Sequence, residues 1–307
     1  MKSFILPLAA IFASLGLFLS DADAQSQNRA ANPARQLTLG PIVPEAQQVS
    51  MNDIDHEPWD TLLQKYVNET GVNYKAWHAS QEDLNSLDQY IATLSHASAR
   101  QPADAANQMA YWINAYNAVT IKGIMQEYPT TSIRNFTSET GGYNVWKNLL
   151  LNVAGQQISL DSMENQILRP MGDFRIHFAI VCASKGCPPL SNHAFDGECL
   201  EDQLAASSKT FFAQAQNFQY DPNQGTMKLS SIIQWFPGDF GADQAAQLRA
   251  IAKYLPTEQA QAAANANSVR VSYLDYDWGL NAQPEAEQGS QNRSGSQSKQ
   301  GSQNRTP

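Results

Sequence analysis

A helical repeat of apolar residues over residues 107–127 constrains the fold of this chain more than any other feature. The apolar positions occupy most of the helix circumference, so the sequence predicts a helix that other elements surround. These positions are Met109, Trp112, Ile113, Tyr116, Val119, Ile121, Ile124 and Met125. Pro129 follows one residue after Tyr128 and is expected to prevent further helix.

Two asparagines, Asn114 and Asn117, interrupt this apolar helix, although asparagine is a poor helix former. Asn117 lies one turn from Ile113 and Ile121, so its amide is expected to be buried and to need hydrogen-bond partners. Two interpretations stay open: a structural amide that ties a loop to the helix, or an amide that lines a site. Both asparagines are therefore candidate substrate-binding residues.

The stretch of residues 173–190 combines an unbroken apolar run with reactive side chains. Residues 178–181 read Phe-Ala-Ile-Val, a pattern typical of a strand that is buried on both faces. Polar and reactive residues stand on both sides of the run: Arg175, His177, Cys182, Lys185 and Cys187. A buried strand that carries such side chains at its ends predicts the location of a functional site.

A carboxylate is predicted on the buried face of a neighbouring helix. Ser159 is a suitable N-cap for a helix over residues 160–169. Glu164 falls on the apolar stripe of that helix, one turn after Leu160. Burial raises a carboxyl pKa and a nearby cation lowers it, so two interpretations stay open. Glu164 is either a candidate catalytic group or one half of a buried ion pair with Arg134, Arg169 or Arg175.

His177 has two possible partners in the sequence. Five residues along a strand span roughly 16 Å, and an odd offset directs the side chains to opposite faces. His177 and Cys182 therefore cannot form a thiol–imidazole pair, which needs about 3 Å, if the strand is regular. Glu164 could instead orient the imidazole, as a carboxylate does in hydrolase triads. The candidate catalytic residues are Glu164, His177 and Cys182, and the candidate substrate-binding residues also include Arg175 and Lys185.

The three cysteines leave several pairings open, because an odd number cannot all pair within the chain. A chain reversal over residues 183–186 would bring Cys182 and Cys187 within disulfide range. A disulfide between Cys187 and Cys199 would instead leave Cys182 free, and Lys185 would then lower its pKa. The histidine and cysteine spacings do not reproduce the paired Cys-x-x-Cys pattern of structural zinc sites. We predict no metal and no cofactor.

The two ends of the chain differ in composition from its centre. Residues 1–24 have a basic start, an apolar middle and small residues at the end, and they predict a signal peptide that is cleaved after Ala24. Residues 25–52 are predicted to form a flexible linker, and residues 282–307, rich in Gln, Ser, Gly and Asn, a disordered tail. Residues 53–281 are then expected to form a single globular domain of a periplasmic or secreted protein, with no transmembrane segment after cleavage.

The formal net charge of −9 argues against nucleic acid as a partner, because the chain has no basic stripe. A small molecule, a peptide or a glycan is the expected ligand. The apolar periodicities predict many helices and few strands. We therefore expect an α+β fold: a single domain that is rich in helix and contains a small buried β-sheet.

Several motifs carry a resemblance to a known family. They are the helix motif of residues 111–118, Leu160-Asp161-Ser162-Met163-Glu164, the stretch from Arg175 to Leu190, and residues 276–281. In this order they resemble the uncharacterised bacterial and plant family known as domain of unknown function number 547, over nearly all of residues 53–281. One departure is Asn165, where the family often has histidine. The resemblance implies a domain and a pocket, and it implies no particular reaction.

Two functions are compatible with these residues. The first is an exported hydrolase or acyl transferase that depends on a thiol or on His177 and Glu164. The second is a non-catalytic envelope or extracellular module that binds a partner and contains a structural disulfide.

Overall fold

The computed structural model describes residues 36–135 and 144–284 of the chain. The predicted signal peptide (residues 1–24) and most of the predicted tail (from residue 285 onward) lie outside the described residues. None of the described helices is long and apolar enough to cross a bilayer.

Helices make up most of the regular structure. In chain order they are α1 (Glu57–Tyr66), α2 (Tyr74–Ala79), α3 (Gln81–Leu94), α4 (Ala105–Gln126), α5 (Val145–Asn148), α6 (Leu160–Ser162), α7 (Leu200–Ala213), α8 (Ser231–Trp235), α9 (Pro237–Phe240), α10 (Gln244–Ala252) and α11 (Glu258–Asn265). A π-helical stretch, Met163–Leu168, continues α6, and a 3-10 helix, Phe174–Phe178, precedes the first cysteine.

The strands are short and form three small sheets. They are β1 (Leu37–Leu39), β2 (Val67–Asn68), β3 (Gly71–Val72), β4 (Leu149–Val153), β5 (Gln156–Ser159), β6 (Phe218–Asp221), β7 (Thr226–Leu229) and β8 (Arg270–Tyr273). In one sheet β4 pairs in parallel with β1 and antiparallel with β5. In another, β7 pairs antiparallel with β6 and in parallel with β8. The predicted helix-rich α+β fold is confirmed.

Helix α4 is the central helix that its apolar pattern predicted. Nearly every residue from Met109 to Met125 is buried, and the helix packs against α3 and the π-helical stretch. Its hydrophobic core contains Trp59, Trp77 and Leu151 among many others. An amphipathic helix could not remain in this position, because half of its circumference would bring polar groups into the core.

The predicted buried strand over residues 178–181 is wrong. The chain there leaves a 3-10 helix at Phe178 and continues as irregular backbone to Ser184. The four residues are nonetheless buried, with at most 6% of their surface exposed. Phe178 belongs to a second core around Phe211 and Phe240, whereas Ala179, Ile180 and Val181 belong to the core around α4. The apolar run of residues 178–181 is therefore explained by its burial between two cores and not by pairing in a sheet.

The side chain of Asn117 replaces the missing strand neighbour. Its Nδ2 donates to the carbonyl oxygen of Ala179 at 3.0 Å, and its Oδ1 accepts from the amide of Val181 at 2.9 Å. A buried backbone group without a partner is costly, so this amide makes an irregular buried segment stable.

Asn114 performs the same task one helical turn earlier. Its Oδ1 accepts from the amide of Phe195 at 2.9 Å, and its Nδ2 donates to the carbonyl oxygen of Phe195 at 2.8 Å. Both asparagines are almost fully buried, at 0% and 1% exposure. Both asparagines therefore act as structural amides that tie a loop to the helix, because the side-chain NH₂ and the side-chain oxygen of each bond to backbone groups.

The predicted linker differs from the structure over its described part. Strand β1 pairs with β4, and Asn152 Nδ2 donates to the carbonyl oxygen of Gly40 at 2.8 Å. At the other end, the amide of Gln283 donates to the carbonyl oxygen of Val72 at 3.0 Å. The ordered unit therefore extends beyond both predicted boundaries, because distant backbone supplies the pairing that these polar segments do not supply locally.

Replacing Asn117 by Ala is expected to destabilise the protein. The substitution leaves the carbonyl of Ala179 and the amide of Val181 buried without partners, which costs on the order of 3 kcal/mol. Urea denaturation measures the change in the free energy of unfolding. Asn85→Ala, on the exposed face of α3, is the matched control and should change stability little. Equal stabilities of the two variants would contradict the role assigned to Asn117.

Candidate active site

One pocket brings together the reactive side chains that the sequence singled out. Glu164, His177, Cys182 and Cys187 line a cavity with a volume of about 210 Å³. Most of the remaining wall is apolar and aromatic, including Trp146, Ile180, Trp235, Phe236, Tyr276 and Trp278. Electrostatic interactions and hydrogen bonds are stronger in such surroundings than in water.

Glu164 reaches the pocket from the π-helical stretch after α6, a type of turn that is frequent at functional sites. The predicted N-cap is confirmed, because the Ser159 hydroxyl accepts from the amide of Ser162. Tyr116 Oη donates to Glu164 Oε2 at 3.3 Å, so the partner is a tyrosine and not the expected arginine. Burial raises the pKa of Glu164 to about 7, although the Tyr116 hydrogen bond opposes this rise. Glu164 can therefore give or take a proton near neutral pH.

His177 pairs with Asp239 and not with Glu164. Its Nε2 lies 2.7 Å from Asp239 Oδ2, and its ring stacks on Phe236 with centroids 4.4 Å apart. Burial lowers the pKa of His177, while the hydrogen bond to Asp239 raises it in part. The imidazole is therefore neutral at pH 7, and because a carboxylate only accepts, we assign the proton to Nε2 and the lone pair to Nδ1.

Arg169 fixes the carboxylate that holds His177. Its Nε and Nη2 donate to the two oxygens of Asp239 at 2.6 and 2.9 Å, and this ion pair lowers the pKa of Asp239. The third donor, Nη1, bonds Asn165 Oδ1 at 2.8 Å. Asn165, the position of the expected departure from the family, therefore supports the arginine that orders this wall of the pocket.

The two pocket cysteines face each other across a tight loop. Ala183 adopts a left-handed conformation, with φ of 57°, and reverses the chain direction after Cys182. The sulfur atoms of Cys182 and Cys187 are consequently 2.6 Å apart, and both residues are free thiols in the structure. The sequence analysis left this reversal open as one of several alternatives for the cysteines.

Three donors converge on the sulfur of Cys187. They are the amide of Cys182 at 2.9 Å, Tyr276 Oη at 3.1 Å and the Cys182 thiol. Burial alone would raise the pKa of Cys187, but hydrogen bonds from Cys182 and Tyr276 lower it to about 6. The Cys182 pKa is raised, first by its bond to Cys187 and then by burial. The pair therefore releases one proton easily, and the resulting thiolate belongs to Cys187.

Residues 276–281 hold the loop of residues 182–187 and contain Tyr276. The amide of Lys185 donates to the carbonyl oxygen of Gly279 at 2.8 Å, and the amide of Gly186 donates to that of Asp277 at 2.9 Å. A Cβ at position 186 would lie 2.9 Å from the Tyr276 ring, so this residue must be glycine. The close approach places the phenol directly beside the two sulfurs.

None of the predicted substrate-binding residues lines this pocket. Asn114 and Asn117 bind backbone, as described above. Arg175 is buried in ion pairs with Asp173 and Glu201, each at 2.6 Å. Lys185 lines two neighbouring surface depressions.

Cys199 is exposed at the start of α7 and does not line the pocket. His193 bonds Asp60 at 3.1 Å on the surface. Within the described residues, no three His, Cys, Asp or Glu side chains are grouped as metal ligands.

Asp239, which bonds His177, and Tyr276, which lines the pocket, were missed as site residues from the sequence. Both lie more than 60 residues beyond their partners His177 and Cys182, with sequence separations of 62 and 94. A weak signal existed for each, because Asp239 directly precedes Phe240 and Tyr276 lies two residues before Trp278. Their partners, however, are fixed by the fold and not by local pattern.

The fold and the pocket define a helix-rich α+β protein with two thiols and a carboxyl group in an apolar cavity. Residues 101–212, about a third of the chain, match the model of a family described as protein of unknown function, DUF547. Over these residues the chain is similar to this family, as its motifs predicted, and the matched segment contains Glu164, His177, Cys182 and Cys187. No curated protein matches the chain, and no solved structure does.

Replacing Glu164 by Gln is expected to change the pH dependence of stability. The pKa of Glu164 rises from 4.5 to about 7 on folding, so the wild type loses stability as pH rises through this window. The free energy of unfolding of the variant should equal that of the wild type near pH 4.5. Above pH 7 it should be larger than that of the wild type by on the order of 3 kcal/mol. Urea denaturation across pH measures this, with exposed Glu69→Gln as control. Parallel profiles for Glu164→Gln and wild type would contradict the assignment.

Alkylation of the reduced protein should reveal the thiolate. The rate at Cys187 is expected to reach half its maximum near pH 6, whereas Cys199, whose pKa burial and acidic neighbours raise, should need alkaline conditions. Tyr276→Phe removes a donor and should raise the Cys187 midpoint by about one pH unit. The exposed Tyr273→Phe is the control. Peptide mass spectrometry after iodoacetamide gives each rate, and an unchanged midpoint in Tyr276→Phe would remove the phenol from this role.

Proposed function

We propose that the protein is a thiol-dependent enzyme that transfers or hydrolyses acyl groups, with Cys187 as the nucleophile. The observation that carries this proposal is the presence of a stabilised thiolate and a carboxyl group of pKa about 7 on one apolar pocket. Nucleophilic catalysis needs a deprotonated thiol and a group that manages protons near neutral pH. The nucleophile is therefore Cys187 and not Cys182, whose pKa is raised.

In the first step, the Cys187 thiolate attacks the carbonyl carbon of an ester, thioester or amide. The bond between the carbonyl carbon and the leaving group then breaks, and protonated Glu164 gives its proton to that leaving group. The products are an acyl group in thioester linkage to Cys187 and an ionised Glu164.

In the second step, ionised Glu164 takes a proton from water or from an acceptor hydroxyl or amine. The resulting nucleophile attacks the thioester, and the carbon–sulfur bond breaks to release the Cys187 thiolate. Glu164 and Cys187 return to their initial states, so one carboxyl group serves as acid and then as base.

Tyr276 and His177 have supporting parts in this proposal. Tyr276 donates to the thiolate at 3.1 Å and keeps Cys187 ionised between turnovers. His177 is 3% exposed and is held by Asp239, so its main effect is to position the wall that contains Phe236. Its Nδ1 lone pair is the one basic site that the imidazole offers to a substrate.

The pocket restricts the acyl group to a small apolar one. A volume of about 210 Å³ is below the usual range of drug-sized sites, and the aromatic wall offers few polar partners. We propose short aliphatic or aromatic acyl groups as substrates. We also propose export of the protein, on the predicted signal peptide of residues 1–24.

A second candidate is a non-catalytic module that binds a glycan or a peptide. Trp235 favours it, because 46% of its surface is exposed next to Tyr276 and Trp278, with ring centroids 4.8 and 5.9 Å away. Large exposed aromatic groups often mark binding surfaces. In this candidate the pocket holds a ligand side group and does not turn it over.

Acylation by p-nitrophenyl esters of short acids tests the enzyme proposal. We expect a burst of p-nitrophenol and a thioester on Cys187, which mass spectrometry of acid-quenched protein locates. Cys187→Ser should lower kcat/KM about a thousandfold, because serine is not ionised at this pH. Glu164→Gln should lower kcat by about a hundredfold or more. Cys199→Ser, at the exposed thiol, is the matched control.

Two outcomes would contradict the proposal. An acyl group found on Cys199 alone would show ordinary surface reactivity. A folded, reduced protein that acquires no acyl group with any of these esters would favour the binding module, and Trp235→Ala should then weaken binding to glycan or peptide arrays.

A further inference from the structure

We propose that Cys182 and Cys187 form a redox pair that exchanges with the disulfides of small thiol compounds. This activity goes beyond acyl transfer and does not depend on it, because it uses the second sulfur as well as the first. The sequence left a structural disulfide open as one interpretation. The arrangement in the pocket instead favours a bond that forms and breaks.

The geometry of the loop favours formation of the bond. The two sulfurs lie 2.6 Å apart, and a disulfide needs about 2.05 Å, so a small rotation of the side chains brings them together. Backbone hydrogen bonds to Asp277, Gly279 and Asn281 hold both ends of the loop during this movement. The reduced state is also well supported, since Ser184 Oγ and Tyr276 Oη lie 3.0 and 3.1 Å from the sulfur of Cys182.

The two sulfurs have different chemistry. Both line the main pocket, and Cys187, which is 6% exposed, also lines a second depression that contains Lys185 and Pro188. It also receives the converging donors that stabilise a thiolate. Cys187 is therefore the attacking thiol, and Cys182 is the resolving thiol.

The thiol–disulfide exchange takes place in two steps. The Cys187 thiolate attacks one sulfur of a disulfide R–S–S–R, forms a mixed disulfide and releases one R–S⁻. Cys182 then gives its proton to that released thiolate and attacks the Cys187 sulfur, which releases the second R–S⁻. The protein loses two electrons as the Cys182–Cys187 bond forms, and the small disulfide gains them as one thiol and one thiolate.

The exchange is tested with the aromatic disulfide DTNB on the reduced protein in a Cys199→Ser background, which removes the unrelated exposed thiol. The parent is expected to release about two thionitrobenzoate ions per chain and to keep none bound. Adding Cys182→Ser should halve the release and leave one thionitrobenzoate on Cys187. Adding Cys187→Ser should slow the reaction of the remaining thiol at least tenfold. Circular dichroism and thermal melting confirm that each variant is folded.

Reversibility is tested in the same background with mixtures of reduced and oxidised glutathione. Mass spectrometry after alkylation should find the Cys182–Cys187 disulfide, and its fraction should follow the glutathione ratio from either direction. A disulfide that excess reduced glutathione cannot open in the folded protein would overturn the proposal in favour of a structural bond. A parent protein that retains thionitrobenzoate and releases only one ion would overturn it as well.

The ester assay separates this proposal from the proposed function. In excess dithiothreitol both thiols stay reduced, so wild-type ester turnover tests acyl transfer alone. Ester turnover without a second release of thionitrobenzoate defeats the redox pair only. Complete exchange without ester turnover defeats acyl transfer only.

Discussion

The side chain of Asn117 satisfies the backbone on which this site depends. Residues 179–181 are buried between two hydrophobic cores, yet they belong to no sheet and no helix. Without the two hydrogen bonds from Asn117, the carbonyl of Ala179 and the amide of Val181 would have no partner here. Because this segment has His177 before it and Cys182 after it, one amide on the central helix sets the relative positions of the imidazole and the thiols.

The pocket is assembled from distant parts of the chain with different tasks. The segment that matches the family model contributes the groups capable of chemistry: Glu164, His177 and the two cysteines. Two of the residues that tune them come from beyond that segment, since Asp239 holds the imidazole and Tyr276 donates to the thiolate. The matched segment therefore contains the reactive atoms, and the C-terminal third of the described chain contributes to the protonation of His177 and Cys187.

Local features of this fold could be predicted from the sequence, and features that need long-range partners could not. Helix α4 and the Ser159 cap follow from patterns within one or two turns. The run at residues 178–181 was misassigned to a strand, because burial on all sides produces the same apolar pattern whether a sheet or a side-chain amide satisfies the backbone. Glu164 was expected to pair with His177 or with arginine, but its partner is Tyr116, and no spacing in the sequence distinguishes these possibilities.

The phenol of Tyr276 contacts both the sulfur atoms and the exposed Trp235. Its hydroxyl has a single hydrogen but lies within 3.1 Å of Cys182, Ser184 and Cys187, so it must turn toward whichever acceptor is most negative. The same ring packs on Trp235 and Trp278, with centroids 4.8 and 4.5 Å away. One side chain thus contacts both the thiols and the indoles, so a substitution at Tyr276 alters the surroundings of the sulfurs and the packing of the aromatic wall together.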